Sequence, residues 1–457
     1  MSVGGWASSL PLRRPTDRAR HDRARGAALI QIAGASALIA AVGGSLWLSA
    51  SAASGNYLLE LPTTIARPSW IQGPLHGLGM LLGSSGPSST SAALLVLLAA
   101  YLGALACADS ISPRLAITAV GLANLAFTLG PSIVSSDAFG YMAYARDASH
   151  GLNPYLSAPS ALVHDGVLQF VYWKHQTSPY GPLFTALSVP LGLLPAAVAF
   201  WAYKAAAGIA AVLLALLAAN LCRRRGDSMT RGAIFVGLNP VLLVYAVSGA
   251  HNDLLAALLV MGAVALMLRG RDELGAGVVV AAAAVKLTLG LALPFVLIGA
   301  QRRGAALVGA GVALIAFGVP TLVLAGPHVF DQLQRIVSDP HFDIAFSGPD
   351  RLATALATHI DGPVRTLCSA FAAVMALAMM LCARRGADVI AAAGWAFLAL
   401  IASIASLAPW YLVWLLPLAA IGRSRALWVG AILATLYLVA VHLPALGGEP
   451  WLSGPVG

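Results

Sequence analysis

Apolar runs of about 20 residues follow one another from residue 27 to residue 445 of this chain, and that recurrence leaves it one place to fold. A run of that length spans a hydrocarbon core of roughly 30 Å as a helix rising about 1.5 Å per residue. With no water in the core to satisfy backbone groups, helices are the form such runs take. The chain is therefore read as an all-α polytopic membrane protein, and its 59% hydrophobic and 10% charged residues exclude an ordinary soluble globule. Residues 1–26 form a basic segment, 27–445 one transmembrane domain and 446–457 a short extracytoplasmic tail.

The net charge of +9 raises the question of nucleic acid. The arginines, however, sit in short clusters between apolar runs: Arg13 to Arg25, Arg223 to Arg225, Arg269 and Arg271, Arg302 and Arg303, Arg384 and Arg385, Arg423 and Arg425. That is the positive-inside pattern of a multi-pass protein, with no nucleic-acid motif beside it. It places the N-terminus in the cytoplasm. Gly26 to Ala50 is too long for the apolar region of a signal peptide, despite the small residues SASAASG that follow, and reads as an uncleaved first span.

Alternation from there gives spans at 27–49, 90–108, 115–134, 197–222, 231–248, 252–269, 305–325, 364–383, 388–407, 409–422 and 426–444. Residues 181–196, broken by Pro182, Pro190 and Pro195, are predicted to lie along the outer interface without crossing. Segment 274–300 has arginines at both ends and Lys286 near its middle, so it is predicted to be two half-spans whose turn holds Lys286 at membrane depth or near the outer side. The long outer loops are then 50–89, 135–196 and 326–363. The four cysteines fall in or at the ends of apolar helices and read as small buried side chains, with neither disulfides nor a metal site.

Polar chemistry gathers in a few places. SSDAFGYMAYARDASHGLNPY (residues 135–155) follows an apolar span directly. Its spacing predicts an amphipathic helix on the outer surface, with Tyr141 and Tyr144 at headgroup level; Asp137 is either that helix's cap or a reactive carboxylate. Lys286 costs about 2.5–3.5 kcal/mol at membrane depth, so it either faces a polar cavity or an anion, or snorkels to an interface. His251, Asn252 and Asp253 form a polar triplet at an outer turn and could bind a sugar or phosphate, or cap the next helix. Tyr180 in TSPYGPLF, and Trp410, Tyr411 and Trp414 in APWYLVWLLP, suit an interfacial belt or stacking on a sugar ring or lipid chain. The pairs His164 with His175 and His328 with His341 lack metal-ligand spacing.

In this order, the basic N-terminus, SSDAFGYMAYARDASHGLNPY, TSPYGPLF, SGAHNDLLAALLV, AAAAVKLTLGLALPF and APWYLVWLLP resemble the actinobacterial polyprenol-phosphate-mannose-dependent α-(1→6)-mannosyltransferases of the GT-C class. The resemblance runs from about residue 115 to 444. It implies a GT-C-type bundle of about 11–13 transmembrane helices with an outer-face juxtamembrane helix region. It also implies inverting transfer of mannose from a polyprenyl-phosphate mannose donor to a growing mannan glycolipid of the lipomannan type, outside the plasma membrane. On that likeness Asp137 is the catalytic base. Lys286, Lys204, Arg146 and His251 are then the candidates to meet the donor phosphate. Tyr141, Tyr144, Tyr180, Asn252, Asp253, Trp410 and Tyr411 are those for sugar and acceptor. No cofactor or metal is called for, since a lipid phosphate leaves without protonation. Another polyprenyl-phosphate sugar fits the same residues, and a lipid or sugar transporter is the reading from a different class; the single broken segment and the large polar outer loops favour the enzyme.

Overall fold

A computed structural model describes residues 17–55, 68–83, 85–162, 164–331 and 344–447, with side chains from residue 25 onward. Residues 1–16, parts of the loops 50–89 and 326–363, His341, and most of the tail 446–457 lie outside the described residues. The elements in chain order are α1 (Asp17–Ala53), α2 (Ser69–Gln72), α3 (His76–Leu82), α4 (Pro87–Ala106), α5 (Pro113–Leu129), α6 (Asp137–Ser149), α7 (Pro182–Gly192), α8 (Ala196–Arg224) and α9 (Met229–Gly237). A π turn (Leu242–Val247) precedes α10 (Asp253–Met267) and α11 (Asp272–Val285), and a 3-10 turn (Leu287–Leu291) precedes α12 (Ala292–Gly299). The rest are α13 (Arg303–Leu324), α14 (Gly348–Ala355), α15 (Gly362–Arg384), α16 (Val389–Ser403), a 3-10 turn (Pro409–Trp414), α17 (Leu416–Ile421) and α18 (Arg425–Val441). No strand occurs among the described residues, as expected of an all-α membrane protein.

Among the described residues five helices are long and apolar enough to cross a membrane unaided: α1 from Arg25, α4, α8, α13 and α15. The other apolar segments are shorter or composite. The expected span 231–248 is α9, a break at Asn239–Pro240 and the π turn; 409–422 is a 3-10 turn followed by α17. Proline accounts for both interruptions, because it removes a backbone donor and clashes with the preceding turn.

The arginine clusters converge at one end of the bundle. Arg225 pairs with Asp388, Arg423 Nη2 donates to the Arg225 carbonyl at 3.3 Å, and Arg231 lies 2.7 Å from Asp109. Helices leaving this end are capped by side chains that satisfy their first free N–H groups: Ser112 for α5, Ser228 for α9, Asp388 for α16 and Ser424 for α18. Here too the Arg302 N–H donates to Asp272 Oδ2 at 2.7 Å, and Arg302 Nη2 reaches Glu273 at 3.0 Å. The start of α11 and the end of α12 therefore meet. Segment 272–300 is a hairpin, as its paired arginines implied, with Lys286 at the turn. The 14 residues of α11 put that turn about 21 Å from the arginine end, short of a full hydrocarbon crossing.

The described cysteines are all unpaired; Cys222 and Cys368 are buried, Cys107 is half-buried and Cys382 is exposed. One expectation about the polar end also changes. α6 is not a surface anchor: nine of its residues from Ala138 to Asp147 are buried, with Tyr141 at 1% and Tyr144 at 3% exposure. Small residues and aromatics on every side let α7, α8 and the loop after α6 close around it, so the spacing that read as amphipathic is a buried helix with one polar end. α7 fits the non-crossing assignment, since its 11 residues reach only about 16 Å, and it packs on α6 and α11.

Candidate active site

The three polar stretches picked from the sequence meet at the end of the bundle away from the arginines. Asp137 opens α6, but its carboxylate makes no cap bond. Its Oδ2 lies 3.2 Å from Nδ1 of His251, which comes from the turn between the π segment and α10. The contact is not a made hydrogen bond, and neither ring nitrogen of the buried His251 makes one. Such pairs commonly tighten only when substrate arrives. The His251 ring stacks on Trp410, centroids 3.6 Å apart at 15°, which fixes its plane. Burial alone would raise the Asp137 pKa, but the His251 side chain, the charge of Lys286 and the Tyr180 hydroxyl more than offset it and hold the carboxyl below its ordinary range.

Asp253 is likewise not a cap. Fully buried, it accepts from Lys286 Nζ at 3.0 Å and from Trp414 Nε1 at 2.8 Å. Lys286 Nζ stands 5.0 Å from the Tyr411 ring centroid, and Tyr411 stacks on Trp414 at 4.4 Å. The ammonium is thus held by one carboxylate and two aromatic faces. Between the two charged pairs, the Asn252 backbone N–H donates to the Tyr141 hydroxyl at 3.1 Å. The Asn252 amide and Trp410 Nε1 are buried without a hydrogen-bond partner. Orphaned buried polar groups carry a free-energy cost of about 1–3 kcal/mol each, which a bound hydroxyl would relieve.

Lys286, Tyr180, Tyr411, Trp414 and Thr288 line the polar head of a cavity of about 650 Å³, whose remaining walls come chiefly from apolar residues of α11, α13, α15 and α16. The loop TSPYGPLF reaches this head because of Gly181. Its N–H donates to the Val285 carbonyl at 3.1 Å, and a Cβ there would sit 2.2 Å from the Ala284 carbonyl oxygen. Gly181→Ala should therefore cost about 1–3 kcal/mol as overpacking and push Tyr180 away from Asp137. The check is a thermal melt read beside substrate turnover, both lowered.

Not every predicted residue belongs here. Lys204 is closed to a phosphate: it is fully buried and its three donors go to the carbonyls of Phe127 (2.7 Å), Pro131 (3.2 Å) and Ser248 (2.7 Å). Arg146 pairs with Asp165 on the loop over α6, about 13 Å along the helix from Asp137. The Tyr144 hydroxyl donates to the Gln176 carbonyl at 2.9 Å, and Tyr141 packs edge-on against Tyr180 and Phe184 and at a tilt against Tyr203; both shape the site from behind. Thr288, whose hydroxyl lacks a partner, and Trp414 as the Asp253 donor were not singled out as site residues. Position beside Lys286, and four residues after Trp410, was the available signal.

Asp147, the next carboxylate along α6, is buried with both oxygens unpartnered. Burial first, then the charge of Asp165, pushes it to about 6. The folded state then holds this proton between about pH 4 and 6 while the unfolded state has lost it, so stability falls as pH rises through that window and stays low above it. Asp147→Asn should flatten that slope and raise the melting temperature at pH 7, because the buried carboxylate no longer has to ionise there. Melting curves from pH 4 to 7.5 for both proteins check it.

Residues 31–302 match the family described as α-(1→6)-mannopyranosyltransferase, N-terminal domain, and residues 354–451 match the MptB C-terminal domain. The chain is similar to α-(1→6)-mannopyranosyltransferase A of Mycobacterium tuberculosis, 29% identical over 229 residues, which is 46% of this chain and 43% of that protein. It is similar also to α-(1→6)-mannopyranosyltransferase A of Corynebacterium glutamicum, 26% identical over 176 residues, 36% of this chain and 34% of that protein. The matched stretches thus span less than half the length of these relatives. No solved structure matches.

Proposed function

The chain belongs to the α-(1→6)-mannopyranosyltransferase family, and from that premise we propose that it transfers mannose from a polyprenyl-phosphate donor to the 6-hydroxyl of a mannan glycolipid, on the outer face of the plasma membrane. The observation that carries this reading is the polar head of an apolar cavity. There Lys286 meets the cavity, and Asp137 joins it through the consecutive residues His251, Asn252 and Asp253.

Asp137 takes the proton of the acceptor O6 as that oxygen attacks the anomeric carbon. The bond from that carbon to the phosphate oxygen breaks with its electron pair going to the phosphate, through an oxocarbenium-like transition state with inversion. Charge gathers on the phosphate as this happens, and Lys286 stands at the cavity head to meet it. Asp253 and Trp414 hold the lysine, and the partnerless hydroxyl of Thr288 adds a donor beside it. The Asn252 amide and the Trp410 N–H, set between the two charged pairs, offer hydrogen bonds to the sugar ring. Below Lys286 the apolar walls take the first isoprene units.

The donor reaches this site from the bilayer between α13 and α15. α13 packs on α11, α12 and α7, whereas α15 packs on α16, α12 and α14, and both present apolar residues outward, such as Val312, Ile315, Phe371 and Val374. Gly318 of α13 lines the cavity, and a Cβ there meets nothing within 4 Å. Gly318→Phe should therefore raise the KM for a long-chain polyprenyl-phosphate mannose about 10-fold or more, as expected from displacing one or two isoprene-sized contacts, and affect a short-chain analogue less. Donor titrations with the two chain lengths test the assignment; equal KM values in wild type and variant for both would remove the prenyl tail from this cavity.

A further inference from the structure

The buried ammonium of Lys204 lies outside the donor cavity, and its three partners belong to two segments. Phe127 and Pro131 mark the C-terminal end of α5 and the turn beyond it; Ser248 ends the π turn. Each is a place where carbonyls run out of helical partners and the helix dipole favours a cation. Every partner that the structure gives Nζ is a carbonyl acceptor, at 2.7, 3.2 and 2.7 Å, and three acceptors match the three N–H groups of an ammonium.

Beyond these two ends the chain turns in the same way. Val134, three residues before Asp137, has φ 58°, and Ala250, immediately before His251, has φ 57°. Left-handed backbone is unfavourable by roughly 1–2 kcal/mol for a residue with a Cβ, and worst for a β-branched one. Such conformations persist where the surroundings over-determine them. A second link joins the same two segments: the Ile133 N–H donates to Ser248 Oγ at 3.0 Å, and Ser248 Oγ reaches the Pro131 carbonyl at 3.4 Å. Ser132 Oγ then donates to the Ser135 carbonyl at 2.8 Å, and Ser135 Oγ accepts from the Asp137 N–H at 3.1 Å.

We propose that Lys204 is a positioning residue that, together with Ser248, ties the end of α5 to the end of the π turn and so holds the two strained turns that aim Asp137 at His251. This rests on the role given to Asp137 above, but half of its test does not. In Lys204→Met, which keeps the length and loses the donors, hydrogen exchange of purified protein in nanodiscs should speed up in peptides covering 132–137 and 248–252 together, with α13 and α15 unchanged. kcat for mannosyl transfer should fall about 10- to 100-fold, the effect of a misplacement of about 1 Å, while the donor KM holds. Ser248→Ala removes the second link alone and should show the same pattern more weakly, which keeps the test open if Lys204→Met does not fold.

Exchange that stays at wild-type rates in both turns, or rises across the whole bundle, would overturn the tie. Local loosening with an unchanged kcat would overturn the positioning role. If Asp137→Asn proves fully active, the reading of the base fails separately, and the exchange data still decide whether Lys204 holds the turns.

Discussion

Asp137→Asn lowers mannosyl transfer by about 10² to 10⁴-fold, the range a positioned general base supplies, while protein level, melting temperature and donor KM stay near wild type. The substitution keeps shape and hydrogen-bonding reach and removes only the ability to accept the O6 proton. The fold loses little because Asp137 caps no N–H group and its side chain is 15% exposed. The same environment predicts a pH profile. With its pKa held below the ordinary range by His251 and Lys286, the carboxylate stays ionised in mild acid, so the acid limb attributable to this group should lie below the ordinary carboxylate range. His251→Phe keeps a ring to stack on Trp410 and removes the partner, so it should move that limb upward.

Lys286→Met loses transfer by about 10² to 10³-fold, the scale seen when one donor to a developing anion is removed. Its cost to the fold is large as well. Asp253 is fully buried, and stripping one member from a buried pair costs about 3–5 kcal/mol because the remaining charge is uncompensated. The two effects separate in the double variant Lys286→Met with Asp253→Asn, where no charge is left stranded and the Trp414 N–H keeps an oxygen to donate to. Melting temperature should recover in the double variant and transfer should not. Recovery of both would make the lysine a structural partner of Asp253 and nothing more.

The long apolar helices and the gathering of arginines at one end were legible in the sequence, since length and hydropathy in lipid leave few alternatives. The hairpin around Lys286 was legible for a related reason: arginines at both ends of one apolar segment require those ends to share a side. The burial of α6 was not. Local periodicity sees one helix face, whereas Tyr141 and Tyr144 are covered by α7 and by a loop some 30 residues further on, through contacts such as Tyr144 with Gln176. Lys204 and Lys286 differ for the same reason. Both are lysines within apolar runs, and only the fold shows that one is surrounded by three carbonyls and the other stands at a cavity head. The His251–Asn252–Asp253 triplet stayed open between a ligand site and a cap, because helix starts attract such residues. Its true partners, Asp137 and Lys286, are distant in sequence and no local pattern names them.

The most direct test is transfer by purified protein in nanodiscs, supplied with synthetic polyprenyl-phosphate mannose and a short α-(1→6)-mannoside, with the product linkage read by NMR and released polyprenyl phosphate counted. The account predicts a new α-(1→6) bond, one polyprenyl phosphate freed per bond formed, and neither in Asp137→Asn. Donor carried across the bilayer with its sugar–phosphate bond intact, or full turnover in Asp137→Asn, would contradict it.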